Sequence, residues 1–141
     1  MNLLGPASKS VVLQLANQVK YLLHPITTMA TYEQVKDVPN HPEVYLIDVR
    51  RKDELQQTGS IPASLNIPLD ELDTALSCDG SSFKNKYGRS MPGKESRIIF
   101  TCRSGNRVVE AEKIAKNQGY CNVVLYKGSW NEWAQKEGLK A

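Results

Sequence analysis

Short apolar runs alternate along the chain with segments in which apolar residues recur at helical spacing. The apolar runs predict four strands, at Val44–Val49, Leu65–Pro68, Ile98–Phe100 and Val123–Tyr126. The periodic segments predict helices, at Tyr32–Val38, Lys52–Gln57, Asp70–Leu76, Arg107–Gln118 and Trp130–Lys136. This alternation predicts a single α/β domain with a mostly parallel central sheet flanked by helices on both faces.

The segment from 77 to 96 breaks this rhythm. It is polar and rich in glycine and serine, and only Phe83 and Tyr87 suggest a helical turn packed on the core. We therefore expect a loop with one short helical turn between the helix predicted at Asp70–Leu76 and the strand that begins at Ile98.

The first 30 residues differ from the rest of the chain. Their apolar residues form a helical stripe that ends at His24-Pro25, and the members of the stripe are Val11, Val12, Leu15, Val19, Leu22 and Leu23. One interpretation is a helix packed on the domain. The other is an organellar presequence, which the lack of acidic residues favours and the lack of arginine opposes. Met29 is also a possible alternative start. We predict an N-terminal extension over 1–30 and a domain over 31–138.

Composition and charge exclude several classes of protein. The chain has 141 residues, 40% of them apolar, which suits one ordinary domain. No apolar run reaches the roughly 20 residues of a membrane span. The net charge of +3 is small, and the chain is nearly neutral outside its N-terminal segment. We therefore expect no nucleic-acid partner, since such binding needs a dense basic patch.

Cysteine usage points to a reducing compartment. The chain has 3 cysteines and no CxxC pair, which argues against a disulfide framework. Cys78 lies in a polar loop and is expected to be exposed, whereas Cys121 begins a strand and is expected to be structural. Neither histidine stands at metal-ligand spacing from a cysteine, so no metal site is predicted.

Cys102 directly follows the strand predicted from Arg97 to Thr101, and a helical segment begins after it at Arg107. The loop between them lies over a helix N-terminus, where unpaired N–H groups and the helix dipole favour an anion and a thiolate. Arg103 adds positive charge, and Gly105 permits the backbone to turn its N–H groups inward. Ligands bind at this edge of parallel sheets. The alternative is a buried structural cysteine at the end of a strand.

Further motifs extend along most of the chain. They are Asp48-Val49-Arg50 with Glu54, the segment Gly59–Pro68, Gly119–Val123, and Lys127–Trp133. With the cysteine loop, these motifs resemble the rhodanese family, the thiosulfate sulfurtransferases, and they are most similar to its short eukaryotic single-domain members. The chain departs from the family pattern at Ser60, at Ala63-Ser64, and at Ser129, which stands where the family commonly has glycine.

The resemblance implies a rhodanese-like fold and a persulfide mechanism without a cofactor or metal. Cys102 would be the catalytic nucleophile and the sulfur carrier. The substrate-binding residues would be Arg103, Ser104, Gly105, Asn106 and Arg107. Structural support would come from Asp48, Arg50 and Glu54.

The resemblance also implies the partners. The donor would be thiosulfate or a similar small sulfane-sulfur compound. The acceptor would be cyanide or a thiol such as glutathione or thioredoxin. We expect a monomeric intracellular protein in the cytoplasm or the mitochondrion.

Two other functions stay open at this point. The first is a phosphatase of the dual-specificity type, which shares this fold but needs one residue more between its cysteine and arginine. Four residues separate Cys102 from Arg107. The second is a non-enzymatic binding or stress module. Inactive members of the family typically lose the cysteine, whereas this chain keeps it.

Overall fold

The computed structural model of the protein describes residues 29–141. The predicted N-terminal helix or presequence falls on residues 1–28, which lie outside the described residues. Met29 forms a parallel bridge with Leu125, and the Ala30 N–H donates to the Leu125 carbonyl at 2.8 Å. Met29 and Ala30, which precede the boundary predicted at residue 31, therefore contact the sheet.

The described residues form one four-stranded parallel sheet. Its strands are β1 (Tyr45–Asp48), β2 (Ser64–Asn66), β3 (Ile98–Thr101) and β4 (Val123–Leu125). Their order across the sheet is β2-β1-β3-β4, and every neighbouring pair is parallel. The prediction of a parallel α/β sheet is confirmed.

Six α-helices connect and flank the strands within residues 29–141. They are α1 (Tyr32–Lys36), α2 (Lys52–Thr58), α3 (Leu69–Ser77), α4 (Gly80–Tyr87), α5 (Arg107–Asn117) and α6 (Ser129–Glu137). A 3-10 turn at Val38–Asn40 follows α1, which is shorter than predicted. Pro39 lies in that turn, and the residue before a proline is sterically driven out of the α conformation.

The largest departure from the predicted elements is α4. Its eight residues form a full helix where the sequence indicated only a turn. The Asp79 side chain accepts a hydrogen bond from the Ser82 N–H at 2.9 Å and so caps the helix start. Phe83 is fully buried, and Gly88 ends the helix in the left-handed conformation. Capping and one buried aromatic ring thus stabilise a helix whose sequence is mostly polar.

Both faces of the sheet are covered, because alternate strand residues enter different cores. Ile47 and Phe100 join the core that contains Val108 of α5. Leu46 and Ile99 join the second core, which contains Trp130 of α6. This alternation explains why the strands read as continuous apolar runs, and it confirms helices on both faces.

The strand order creates a crevice at one edge of the sheet. The chain leaves β1 for β2 on one side and later returns to place β3 on the other side of β1. Ligands bind at such a switch point, beyond the carboxyl ends of the strands. Cys102 follows β3 there, and Arg50 follows β1. Within residues 29–141, no helix is both long enough and apolar enough to cross a membrane.

Candidate active site

Cys102 lies in a tight loop between the end of β3 and the start of α5. The residue is 1% exposed. Its carbonyl accepts a hydrogen bond from the Trp130 N–H at 3.0 Å, and the Arg103 carbonyl accepts one from the Asn131 N–H at 3.0 Å. The first turn of α6 therefore fixes the backbone on which the thiol is mounted.

Gly105 closes the loop over the sulfur. Its N–H donates to the Cys102 Sγ at 3.2 Å. The backbone there has φ +90, and a Cβ added to it would collide with the carbonyl oxygen of Lys127. Glycine is therefore required for two reasons, the conformation and the close approach of the β4–α6 connection.

The electrostatics of the loop come from the helix that follows it. α5 begins at Arg107 and has 11 residues. The first N–H groups of an α-helix lack partners within the helix, and its N-terminus carries partial positive charge. Ser104 and Asn106 are exposed at the rim, and the Asn106 side chain does not cap the helix. The loop can therefore receive negative charge on or next to the sulfur.

Ser129 is a site residue that the sequence reasoning did not identify. It is fully buried, and its backbone has φ +54, which is rare for a residue with a side chain. Its hydroxyl oxygen accepts from the Cys102 N–H at 3.1 Å and lies 3.7 Å from the Cys102 Sγ. The same hydroxyl donates to the Tyr126 carbonyl at 2.7 Å. The available signal was the serine itself, at a position where the family commonly has glycine.

The guanidinium of Arg107 faces a carboxylate rather than the sulfur. It donates to both oxygens of Glu54, at 2.7 and 2.9 Å. Glu54 also accepts from the Arg51 N–H at 2.9 Å. These hydrogen bonds, led by those from Arg107, hold the pKa of Glu54 down at about 2. The pair joins α2 to α5 across the crevice.

Asp48 and Arg50 form a buried ion pair at the end of β1. The Arg50 side chain is 0% exposed, and its Nη2 lies 2.8 Å from an Asp48 carboxylate oxygen. Its Nη1 donates to the Thr58 hydroxyl at 2.9 Å, and its Nη2 also donates to the Gly59 carbonyl. The guanidinium lies 4.9 Å from the centre of the Trp130 ring. The pair thereby ties β1 to the end of α2 and to α6.

The structure brings the predicted residues together at one edge of the sheet, with different surroundings for each. Arg103 is half-buried and makes no ion pair within residues 29–141. The exposure predicted for Cys78 was wrong, because its side chain is partly buried, whereas Cys121 is exposed. Among the described residues, no cluster of three or more histidine, cysteine or acidic side chains could hold a metal ion.

The sequence is similar to those of known proteins. The sequence model of the Rhodanese-like domain matches residues 31–136. The rhodanese domain-containing protein CG4456 of Drosophila melanogaster is 86% identical over 111 residues, which cover 79% of this chain and 100% of that protein. The thiosulfate:glutathione sulfurtransferase of Saccharomyces cerevisiae is 37% identical over 112 residues, covering 78% of this chain and 80% of that protein.

A solved structure gives the same result for the fold. The human single-domain sulfurtransferase TSTD1 superimposes with a TM-score of 0.71 at 30% identity. The match covers 77% of this chain and 96% of the human chain.

Proposed function

Because this chain belongs to the rhodanese-like domain family, we propose that it is a thiosulfate sulfurtransferase that carries sulfur on Cys102. The observation that carries the proposal is the Gly105 N–H at 3.2 Å from the Cys102 Sγ, in a loop at the start of α5. A sulfur atom so placed is stabilised as an anion. The similarity to a thiosulfate:glutathione sulfurtransferase supports the choice of reaction.

The first half-reaction takes sulfur from the donor. The Cys102 thiolate attacks the outer sulfur of thiosulfate, and a new S–S bond forms as the S–S bond of thiosulfate breaks. Sulfite leaves with the electron pair of the broken bond. The enzyme then holds a Cys102 persulfide, and no external oxidant or reductant is needed.

Loop residues bind the donor and stabilise the persulfide in this proposal. The backbone N–H groups from Arg103 to Arg107, including those of Ser104, Gly105 and Asn106, face the negative charge of the outer sulfur. The Arg103 guanidinium has no acidic partner within residues 29–141 and attracts the anionic donor. The Arg107 guanidinium contributes mainly through Glu54, which anchors the start of α5.

The second half-reaction returns the enzyme to its starting state. An acceptor thiolate attacks the outer sulfur, and the Sγ–S bond breaks with its electron pair going to the Cys102 thiolate. We propose glutathione as the acceptor, with thioredoxin and cyanide as alternatives. Asp48, Arg50 and Glu54 have a supporting role, since each is buried and none touches the sulfur.

The cellular setting is part of the proposal. Free cysteines and a thiol nucleophile suit a reducing compartment, either the cytoplasm or the mitochondrion. We propose a monomer that requires no cofactor, since the chemistry above uses only side chains and backbone. Size-exclusion chromatography tests the monomer, and a dimer would contradict it.

Initial-rate kinetics test the function. Thiosulfate and glutathione are varied together, and two covalent half-reactions predict the parallel double-reciprocal lines of a ping-pong mechanism. Cys102→Ser is expected to abolish transfer, whereas the matched control Cys121→Ser retains it. An aryl phosphate is assayed in parallel. Release of phosphate without transfer of sulfur would replace the proposal with phosphatase chemistry. If the protein shows neither of the two activities, a binding module would be favoured.

A further inference from the structure

Building on the proposed function, we propose that a hollow beside Arg103 binds the carboxylate of the acceptor thiol. The hollow has a volume of about 320 Å³, within the range of small-molecule sites. We call it the Arg103 hollow, and its lining residues are Gln57, Thr58, Arg103, Leu139, Lys140 and Ala141.

The charge of the Arg103 hollow suits an anionic ligand. Arg103 and Lys140 line it, no acidic side chain does, and neither cation makes an ion pair within the described part of the chain. The neighbouring arginines are already engaged, since Arg107 pairs with Glu54 and Arg50 pairs with Asp48. Arg103 is therefore the arginine at this edge that remains available to a carboxylate.

The position of the hollow connects it to the cysteine loop. Arg103 directly follows Cys102, and the Asn131 N–H holds its carbonyl at 3.0 Å. Thr58, which also lines the hollow, accepts from Arg50 Nη1 at 2.9 Å, and Arg50 follows the neighbouring strand β1. The hollow thus lies at the carboxyl edge of the sheet. An acceptor held there by a carboxylate stays beside the loop while its thiol reaches the persulfide.

The lining selects the class of acceptor. Leu139 is 50% exposed and offers an apolar surface, while Gln57 offers a side-chain amide beside the two cations. A peptide thiol with free carboxylates, such as glutathione, matches this combination. Thiosulfate needs only the loop, since it has no extended portion to occupy the hollow. The hollow therefore favours small anionic thiols over neutral thiols, and Lys140, unlike Arg103, takes no part in donor binding.

Separate Michaelis constants for donor and acceptor test this inference. We expect Lys140→Ala to raise the KM for glutathione by about two- to fivefold, as for the loss of one exposed ion pair. Lys140→Glu is expected to raise it by about tenfold, whereas Lys140→Arg retains the wild-type value. The KM for thiosulfate and the KM for the neutral acceptor dithiothreitol stay unchanged. Lys84→Ala, on the exposed face of α4, is the matched control.

Binding without turnover gives a second readout. S-methylglutathione has no free thiol, so we expect it to compete with glutathione and to bind the Lys140→Glu variant more weakly. An unchanged KM for glutathione in Lys140→Glu would overturn the inference. It would also be overturned if the KM for dithiothreitol rose as much as the KM for glutathione, or if only the KM for reduced thioredoxin rose. Sulfur transfer would continue in those cases, so the proposed function would stand. Absence of sulfur transfer by the wild-type protein would overturn both.

Discussion

The Ser129 hydroxyl lies between the backbone and the thiol of Cys102, 3.1 Å from the amide nitrogen and 3.7 Å from Sγ. It accepts from the amide, and its single hydrogen can be directed to the Tyr126 carbonyl or to the sulfur. The hydrogen therefore gives Sγ a second potential donor beside the Gly105 N–H. The strained φ of +54 at Ser129 is the cost of placing an oxygen there.

Two substitutions of Ser129 distinguish the energetic effect of its hydroxyl from that of its strained backbone. Ser129→Ala leaves the buried Cys102 N–H without its acceptor, so we expect a loss of about 1–3 kcal/mol in the free energy of unfolding. Ser129→Gly loses the same hydroxyl but relieves the positive φ, so it should be about 1 kcal/mol more stable than Ser129→Ala. Urea unfolding measures both. Wild-type stability of Ser129→Ala would contradict the assigned hydrogen bond.

Gly105→Ala tests the close approach of the loop to the β4–α6 connection. The new methyl group would collide with the Lys127 carbonyl, and the residue would also keep φ +90, so we expect a loss of more than about 2 kcal/mol. Gly88→Ala is the matched control, because it has φ +73 in open space and should lose only about 1 kcal/mol. Thermal unfolding compares the two. Equal losses would show that the contact with Lys127 has no energetic effect.

Glu54→Gln tests the ion pair across the crevice through its dependence on pH. The pKa of Glu54 is about 2 in the folded protein against an ordinary value of 4.5. Since the folded pKa is depressed, the stabilisation is complete above pH 4.5 and is lost as the pH falls through about 2. We expect Glu54→Gln to lose at most about 3 kcal/mol at neutral pH and much less near pH 2. Urea unfolding across this range is the measurement.

The neighbouring Asp53 provides the control for that experiment. Its ion pair with Arg51 is solvent-exposed, so Asp53→Asn should change stability by less than about 1 kcal/mol. A Glu54→Gln variant that loses the same amount at every pH would show that packing, and not the carboxylate, stabilises the contact with Arg107.

The predictable parts of this molecule are those that depend on residues close together in sequence. The apolar run at Ile98–Phe100 predicted a strand, and Cys102 lies at the carboxyl end of that strand, as predicted. The family resemblance, drawn from ordered motifs, is likewise confirmed by the match over residues 31–136. Local pattern was enough for both, since the type of each element and the order of the motifs along the chain can be read from the sequence.

Contacts between distant residues were not predictable in the same way. Glu54 and Arg107 are far apart in sequence, and the pairing of their side chains depends on how α2 and α5 meet across the crevice. The role of Ser129 was not predictable, because its positive φ and its contact with Cys102 exist only in the folded chain. The exposure of Cys78 was also misjudged, since a polar segment does not determine which groups pack on a side chain within it.

Arg50→Lys tests the buried pair at the end of β1. Lysine keeps the charge but cannot reach Asp48, Thr58 and Gly59 at once, as the arginine fork does. We expect a loss of about 3 kcal/mol or more in the free energy of unfolding, because the buried Asp48 carboxylate loses some of its hydrogen bonds from Arg50. Arg51→Lys, at an exposed neighbour, should change stability by less than about 1 kcal/mol. Similar small losses in both would contradict a supporting role for Arg50.

The most direct test of the account is the mass of the protein after incubation with thiosulfate. We expect the wild-type chain to gain the mass of one sulfur atom, located by peptide mapping on Cys102 and removed again by glutathione. Cys102→Ser should gain nothing, while Cys78→Ser and Cys121→Ser should gain the same mass as the wild type. A wild-type chain that gains no sulfur from thiosulfate, or gains it on Cys78 or Cys121, would contradict the assignment of Cys102 as the sulfur carrier.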